Sequence, residues 1–499
     1  MKVTLISPYP DITAFGIRTL SAHLKANGHK TRLIFLPDPF GDNLVEDAAR
    51  YPAKAMEEAA RLCEGSDLIG VTLMTNFFDG AVQITSAIKR ALPKTPVIWG
   101  GVHPTIRPQE CMDHADMVCV GDGEDSLLDL VTRMAGGKDI YATPNLWFKK
   151  NGKTLINPLS PLPRGLDVYP APDYDMADSF VMVDGGVRPM NHALMEMFLK
   201  RGTVSGYLCK TGYQTMTSRG CPYACTYCIN DTINSMYGGK GKLRWRSITH
   251  VMGELEHAKR EMPYVNFIWI SDDEFMARKL DDIREFSKLY KERIGLPFSC
   301  LVSPLTVTQE KVSLLVDAGL VYVQMGVESG SARMQEIYNR KNMNNERMIK
   351  AMAILNGFKD KMSPPSYDFL LDTPGETVED KMDSLRFIAQ IPKPYKLQPF
   401  RLILYPGTQL YKQEMEKGAI ADERREIYGK TYTMRELTYA NLLMTLASGG
   451  KFPGPLLKAL ASPPFSSIFN SGVLQPFFKW LYLILRGGHK LLKGVTRPA

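Results

Sequence analysis

The sequence predicts an α/β chain in three parts: a doubly wound, Rossmann-like domain over residues 1–140, an incomplete (β/α)6 barrel over 204–418, and a mainly helical, basic extension over 419–499. Three observations predict it. Apolar runs of strand length alternate with amphipathic helical stretches in two separate series. A connector, residues 141–203, separates the series and carries the Pro-rich run NPLSPLPRGLDVYPAPDYD. Beyond Glu436 there is no Asp or Glu. At 499 residues the chain also exceeds one ordinary core.

In the first series Lys2–Ser7 reads as a strand, and Gly16–Ala26 as a helix with Ile17, Leu20 and Leu24 on one side and Asn27-Gly28 at its end. Strands follow at Thr31–Leu36, Leu68–Met74, Val97–Trp99 and Asp116–Val120, with helices over Met56–Cys63, over Ala81–Leu92 and from Ser126. Short apolar strands between amphipathic helices indicate a parallel sheet covered on both faces. Such sheets bind ligands beyond the carboxyl ends of their strands. Those ends carry Gly100-Gly101-Val102-His103 and Gly121-Asp122-Gly123-Glu124. Glycines there suit close approach of a nucleotide tail or phosphate, and equally suit tight turns.

In the second series strands are expected at Gln214–Ser218, Phe267–Ser271, Phe298–Val302, Tyr322–Val327, Tyr367–Leu371 and Gln398–Leu404. Helices are expected over Ile248–Glu261, Lys279–Lys291, Gln309–Ala318, Asn344–Asn356 and Val378–Ala389. Six βα units are too few for a closed eightfold barrel and fit an incomplete one.

Composition is that of a globular chain. The N-terminus, MKVTLISPYPDITAFG, lacks the apolar core and cleavage site of a signal peptide. No run reaches the ~18 apolar residues of a spanning helix. A cytoplasmic protein is expected, possessing reduced thiols rather than a disulfide framework for its eight cysteines.

Three of those cysteines stand together, in Thr217-Ser218-Arg219-Gly220-Cys221-Pro222-Tyr223-Ala224-Cys225-Thr226-Tyr227-Cys228. Thiolates spaced x3 and x2 on one loop can converge on a single centre, leaving one iron of a cubane cluster unclaimed by protein. A zinc site is the alternative. It would need a fourth ligand such as Cys209, His250 or His257, and the paired CxxC usual for zinc is absent.

This loop resembles the CxxxCxΦC signature of the radical S-adenosylmethionine (SAM) superfamily, with Tyr227 as the aromatic. The resemblance implies a [4Fe-4S] cluster on Cys221, Cys225 and Cys228, at whose open iron SAM is reductively cleaved to a 5′-deoxyadenosyl radical, with an external one-electron donor. Ser271-Asp272-Asp273-Glu274-Phe275 is similar to the DDxF element near the SAM aminocarboxylate, and Gly326-Val327-Glu328-Ser329-Gly330-Ser331 to the GxES element beside its ribose. Asp272, Asp273, Glu328 and Ser329 are thus implied SAM contacts, with a helix cap as the bland role for either aspartate. Asp372-Thr373-Pro374-Gly375-Glu376-Thr377 matches the PGET turn, with Asp372 where the family usually has Gly. Tyr405-Pro406-Gly407-Thr408 matches a YPGT turn.

The first domain then resembles the cobalamin-binding domain fused to such barrels, through WGGVHPTIRPQECMDHADMVCVGDGED. The likeness runs from Met1 to about Gly418. It implies cobalamin, with its nucleotide tail near Thr72, Thr75, Gly100 and Gly101. The DxHxxG sequence that supplies an axial histidine elsewhere is missing, and His103 belongs to a turn, so no protein histidine is expected on the lower face.

The expected reaction is methylation of an unactivated carbon of a small-molecule, apolar or lipid-like substrate. The rivals are a radical cyclisation or rearrangement of the anaerobic porphyrin-ester cyclase type and a non-enzymatic corrin sensor or electron-transfer module. No acid, base or radical-quenching residue is singled out. The chain carries a net charge of +8, seven of its cations falling after Glu436. In Pro476–Arg486 and just beyond, Phe477, Leu481, Ile484 and Leu492 share one helical face and Lys479, Arg486, Lys490 and Lys493 another. That pattern fits a helix lying on the inner face of a membrane. A helix capping the barrel fits it too; nucleic acid is not the expected partner.

Overall fold

The structure, a computed structural model, describes residues 1–37, 51–239, 243–429, 436–463, 465–474, 476–481 and 484. They form two compact units: one from residues 1–273, 289–297 and 404–431, the other from 274–288, 298–403 and 432–499.

The first unit holds β1 (Lys2–Ser7), β2 (Lys30–Phe35), β3 (Leu68–Thr72), β4 (Val97–Gly100), β5 (Met117–Cys119), β6 (Leu146–Lys150), β7 (Lys153–Ile156), β8 (Ser179–Val183) and β9 (Gly186–Pro189). They make one sheet in the order β7-β6-β5-β4-β3-β1-β2-β8-β9. Its centre is parallel, with Leu5 opposite Leu33 on one side and Gly70 on the other. Val3, Leu5, Ile6, Ile69 and Val71 are buried, as expected of strands covered on both faces by helices such as Phe15–Ala26 and Phe78–Ala91. Strand order reverses beside β1, because the chain passes from β2 over β1 to β3; such a reversal opens a crevice at the strand ends.

The segment read as a linker belongs to this sheet. β6 pairs antiparallel with β5 and β7, and β8 adds parallel to β2 before turning into β9. Both hairpins turn on dipeptides with positive φ, Asn151-Gly152 and Asp184-Gly185, the conformation a tight hairpin requires.

Also in the first unit are β10 (Gly212–Thr215), the short hairpin β11 (Ser218–Arg219) and β12 (Arg244–Trp245), and β13 (Phe267–Ile270), which pairs parallel with β10. The second unit holds β14 (Phe298–Val302), β15 (Leu320–Glu328), β16 (Ser366–Leu371) and β17 (Lys396–Arg401), parallel neighbours in chain order. Helices Gln309–Ala318, Asn345–Asn356 and Val378–Ile388 separate them. Six parallel βα strands are therefore present where six were expected, shifted by a few residues at their ends.

In the extension, helices Tyr439–Ala447, Gly454–Leu460 and Phe465–Phe469 precede a helical stretch at 476–481. Phe478 is buried against Tyr439 and Phe469, with ring centroids 5.0 and 5.8 Å away. Phe465, Phe477 and Trp480 are exposed. Of the expected amphipathic tail helix, Arg486, Lys490, Leu492 and Lys493 lie outside the described residues. Among the described residues no helix is long and apolar enough to cross a membrane.

Candidate active site

Two features of the first unit carry the chemistry. The first is the cysteine loop. It starts from the β11–β12 hairpin and ends where helix Ile229–Met236 begins, with Cys228 at its N-cap position. Gly220 takes a positive φ just before Cys221. The Cys228 amide donates to the Cys225 carbonyl at 3.0 Å, and Asn234 Nδ2 donates to the Cys221 carbonyl at 3.3 Å. Cys225 is buried, while Cys221, Tyr227 and Cys228 are half-buried. Burial pushes the Cys221 thiol up to about 12, and the other two cysteines add to the field that opposes its ionisation. None of the eight cysteines is in a disulfide.

Among the described residues no three His, Cys, Asp or Glu side chains are drawn to metal-binding distance. The structure therefore assembles the loop rather than a closed ligand set. Of the side chains considered for a fourth zinc ligand, His250 accepts through Nδ1 from Arg246 Nε at 3.0 Å, and Cys209 and His257 are exposed.

The two aspartates after β13 part company. Asp272 is fully buried and accepts hydrogen bonds from the Thr217 amide and hydroxyl and from the Ser218 amide. It anchors the start of the cysteine loop. Asp273 is pushed up to about 6 by burial, against a hydrogen bond with the Asn230 side chain, and Cys221 lies within its field. Neither caps the next helical turn, Phe275–Ala277, whose N-cap position is Glu274.

The second feature is a cavity of about 290 Å³ at the β1/β3 reversal. Leu5, Ile17, Leu20, Ile98 and Leu127 make its apolar wall, Thr72 and Thr105 give hydroxyls, and Gly100 and Gly101 expose backbone. Gly101 has φ +109°, and a Cβ there would stand 2.8 Å from the Leu73 carbonyl oxygen. Thr75, expected beside the cavity, instead engages His103: its hydroxyl lies 3.0 Å from His103 Nδ1. His103 Nε2 is 3.4 Å from Glu110, and the ring is buried. Glu110 also accepts from Tyr428 at 2.6 Å and Arg424 at 2.8 Å. His103 is thus committed to a protein network. Sequence reasoning missed Met216, Arg219 and Ile233, which flank the cysteine loop and line the same cavity.

In the second unit Glu328 closes β15 in the left-handed region, φ +69°, with Arg340 3.9 Å away. The Ser329 hydroxyl lies 3.1 Å from that of Ser384 and accepts from the Ser331 amide. Asp372 takes φ +55°, the left-handed geometry a glycine would adopt. Its carboxylate is tied to Lys381 at 2.6 Å, to Asn441 and to the Glu436 amide. The departure from glycine thus preserves the turn and adds an anchor for the extension.

Residues 215–388 match the radical SAM superfamily, and residues 1–131 the B12 binding domain. The chain thus joins a B12 binding domain to a radical SAM domain. It is 25% identical over 354 residues to the uncharacterized methyltransferase PH0819 of Pyrococcus horikoshii, covering 69% of each chain. It is 24% identical to the anaerobic magnesium-protoporphyrin IX monomethyl ester cyclase of Rubrivivax gelatinosus, over 72% of this chain and 59% of that one. The fold is shared with the radical SAM methyltransferase TsrM from Kitasatospora setae: TM-score 0.65 and 16% identity, covering 84% of this chain and 76% of that one.

The family's cofactors are a [4Fe-4S] cluster, SAM and cobalamin, and the residues present fit them. Three thiols on one loop form a sulfur donor set for iron. The cavity, with its glycines, an apolar wall and the charged side chains of Asp122, Glu124 and Arg219 at one side, suits a flat nucleotide base and its ribose.

Proposed function

We propose that the chain is a cobalamin-dependent radical SAM enzyme that methylates an unactivated carbon. The observation that carries this reading is that one compact unit holds both the cysteine loop and the cavity, and that residues flanking the loop form part of the cavity wall. When bound, the cluster with SAM supplies a hydrogen-abstracting radical and cobalamin supplies the methyl group. Cys221, Cys225 and Cys228 would hold iron, Asp273 would bind the SAM aminocarboxylate, and Thr72, Gly100 and Gly101 would receive the corrin nucleotide. Asp272 holds the loop in place. His103, engaged with Thr75 and Glu110, would not be spent on the cobalt.

Methylation is favoured over cyclisation by the likeness to the methyltransferase PH0819; the Rubrivivax relative keeps cyclisation as the second reading. The substrate we propose is apolar or lipid-like, met at a membrane surface through the extension. Exposed Phe477 and Trp480 beside Lys479 support that contact.

Anaerobic reconstitution, with iron and corrin counts and methyl-labelled SAM, tests the reaction. Label transferred to substrate carbon supports methylation, and an unmethylated ring product with corrin absent overturns it. Cosedimentation with anionic vesicles tests the surface: a Phe477→Ser, Trp480→Ser chain should stay in the supernatant. Equal pelleting of both chains would remove the membrane contact.

A further inference from the structure

Asp122 and Glu124, in the turn after β5, are held by the cysteine-loop hairpin. Asp122 accepts from Arg219 Nη1 at 3.3 Å and Arg244 Nη2 at 2.8 Å, and Glu124, itself buried, accepts from Arg219 Nη2 at 2.5 Å. Arg219 and Arg244 face each other across β11 and β12, and Arg219 stands two residues before Cys221. On the far side of the loop, just past helix Ile229–Met236, the Tyr237 hydroxyl accepts from the Asp122 amide at 3.3 Å. A Cβ at Gly121 would collide with that hydroxyl. The turn that walls the cavity is therefore strapped to both flanks of the cysteine loop. Of the side chains on the loop's side of the strap, Arg219 both makes ion pairs and lines the cavity with Gly121, Asp122 and Glu124, which Arg244 and Tyr237 do not.

We propose that Arg219 is a positioning residue that couples the two cofactor sites: clasped by Asp122 and Glu124, it makes the order of the cysteine loop depend on what fills the cavity, and the reverse. The physical basis is geometric. A guanidinium forked between two carboxylates fixes direction as well as distance. Its backbone leads into Gly220 and Cys221, so loop position follows the clasp. Coupling of this kind is reciprocal in binding free energy. The inference rests on both cofactors binding, not on the reaction they serve.

The test uses the full chain and hydroxocobalamin as probe, measuring its Kd with the cysteine loop iron-free and then carrying its cluster. In the native chain the Kd falls by about fivefold or more on cluster loading, the low end of usual site-to-site coupling. The reduced cluster's EPR line shape also changes when cobalamin is added. In Arg219→Met both responses vanish although each cofactor still binds, and Arg219→Lys recovers part of them, which a purely structural role would not produce. An unchanged Kd in the native chain overturns the inference, as does a full response in Arg219→Met. Should Arg219→Met fail to fold, Glu124→Gln and the native measurement decide. A chain that takes up no cobalamin fails both this inference and the corrin reading, whereas two coupled cofactors without methyl transfer fail only the proposed reaction.

Discussion

The cysteine loop and the glycine-walled cavity sit in one unit but are built by opposite means. The loop works through side chains, three thiols within eight residues. The cavity works through their absence: Gly100 and Gly101 leave room, and apolar residues from several strands and helices supply the walls. The first site should therefore fail by loss of a donor, the second by gain of an atom. Cys225→Ala is the largest break. Iron content should fall to background and reductive SAM cleavage should disappear, while cobalamin still binds to a measurable degree. Cleavage persisting in that variant would mean the loop is not the iron site.

Gly101→Val tests the other side of the comparison. It forces a branched side chain into φ +109° and against the Leu73 carbonyl oxygen. Cobalamin affinity should drop by about tenfold or more, since ~1.4 kcal/mol of strain already gives that factor. Iron content should change little. If titration shows native cobalamin affinity, the nucleotide lies elsewhere.

Asp372 sharpens the contrast, because here a side chain occupies a turn that could be glycine. Asp372→Gly relieves left-handed strain of ~1–2 kcal/mol. It also leaves Lys381, 9% exposed, without its buried partner, a loss of ~3–5 kcal/mol. The ion pair outweighs the strain, so denaturant titration should show a net loss of ~1–4 kcal/mol. A stabilised variant would mean the anchor contributes nothing.

The same contrast explains what the sequence disclosed. Cys221, Cys225 and Cys228 announce themselves because a rare residue type recurs on one loop. The six barrel strands are readable from apolar runs, and helices Ile248–Glu261 and Gln309–Ala318 match residue for residue. The strands Leu146–Lys150 to Gly186–Pro189 flank the Pro-rich run and were read with it as a linker, although Asn151-Gly152 and Asp184-Gly185 are hairpin signals. Roles that depend on partners distant in sequence could not be read at all. Asp272 and Asp273 are adjacent and chemically identical, yet one binds the Thr217 backbone and the other lies near Cys221. Arg219 reads as part of a motif until Asp122 and Glu124, 97 and 95 residues earlier, meet it.

The smallest effect concerns His103, a residue that looks like a ligand. His103→Ala should leave the absorbance of bound cobalamin unchanged, since the ring is held by Thr75 and Glu110. A spectral shift would make it an axial ligand after all. Its partner gives a pH signature. Burial works against ionisation of Glu110, but hydrogen bonds with His103 and Tyr428 and the charges of His103 and Arg424 prevail, holding the carboxyl at about 2 against an ordinary 4.5. A depressed carboxyl stabilises the fold fully above its unfolded value. That stability is lost as pH falls from about 4.5 through about 2. At ~1.4 kcal/mol per pH unit, and with a quarter of the side chain exposed, the contribution is ~2–3 kcal/mol. Glu110→Gln should therefore be less stable than the native chain at pH 7 and should show a shallower acid limb in thermal melts. Parallel acid limbs would place the acid sensitivity in other carboxylates, such as Asp380, which Arg333 and Ser331 hold below the usual range against its partial burial.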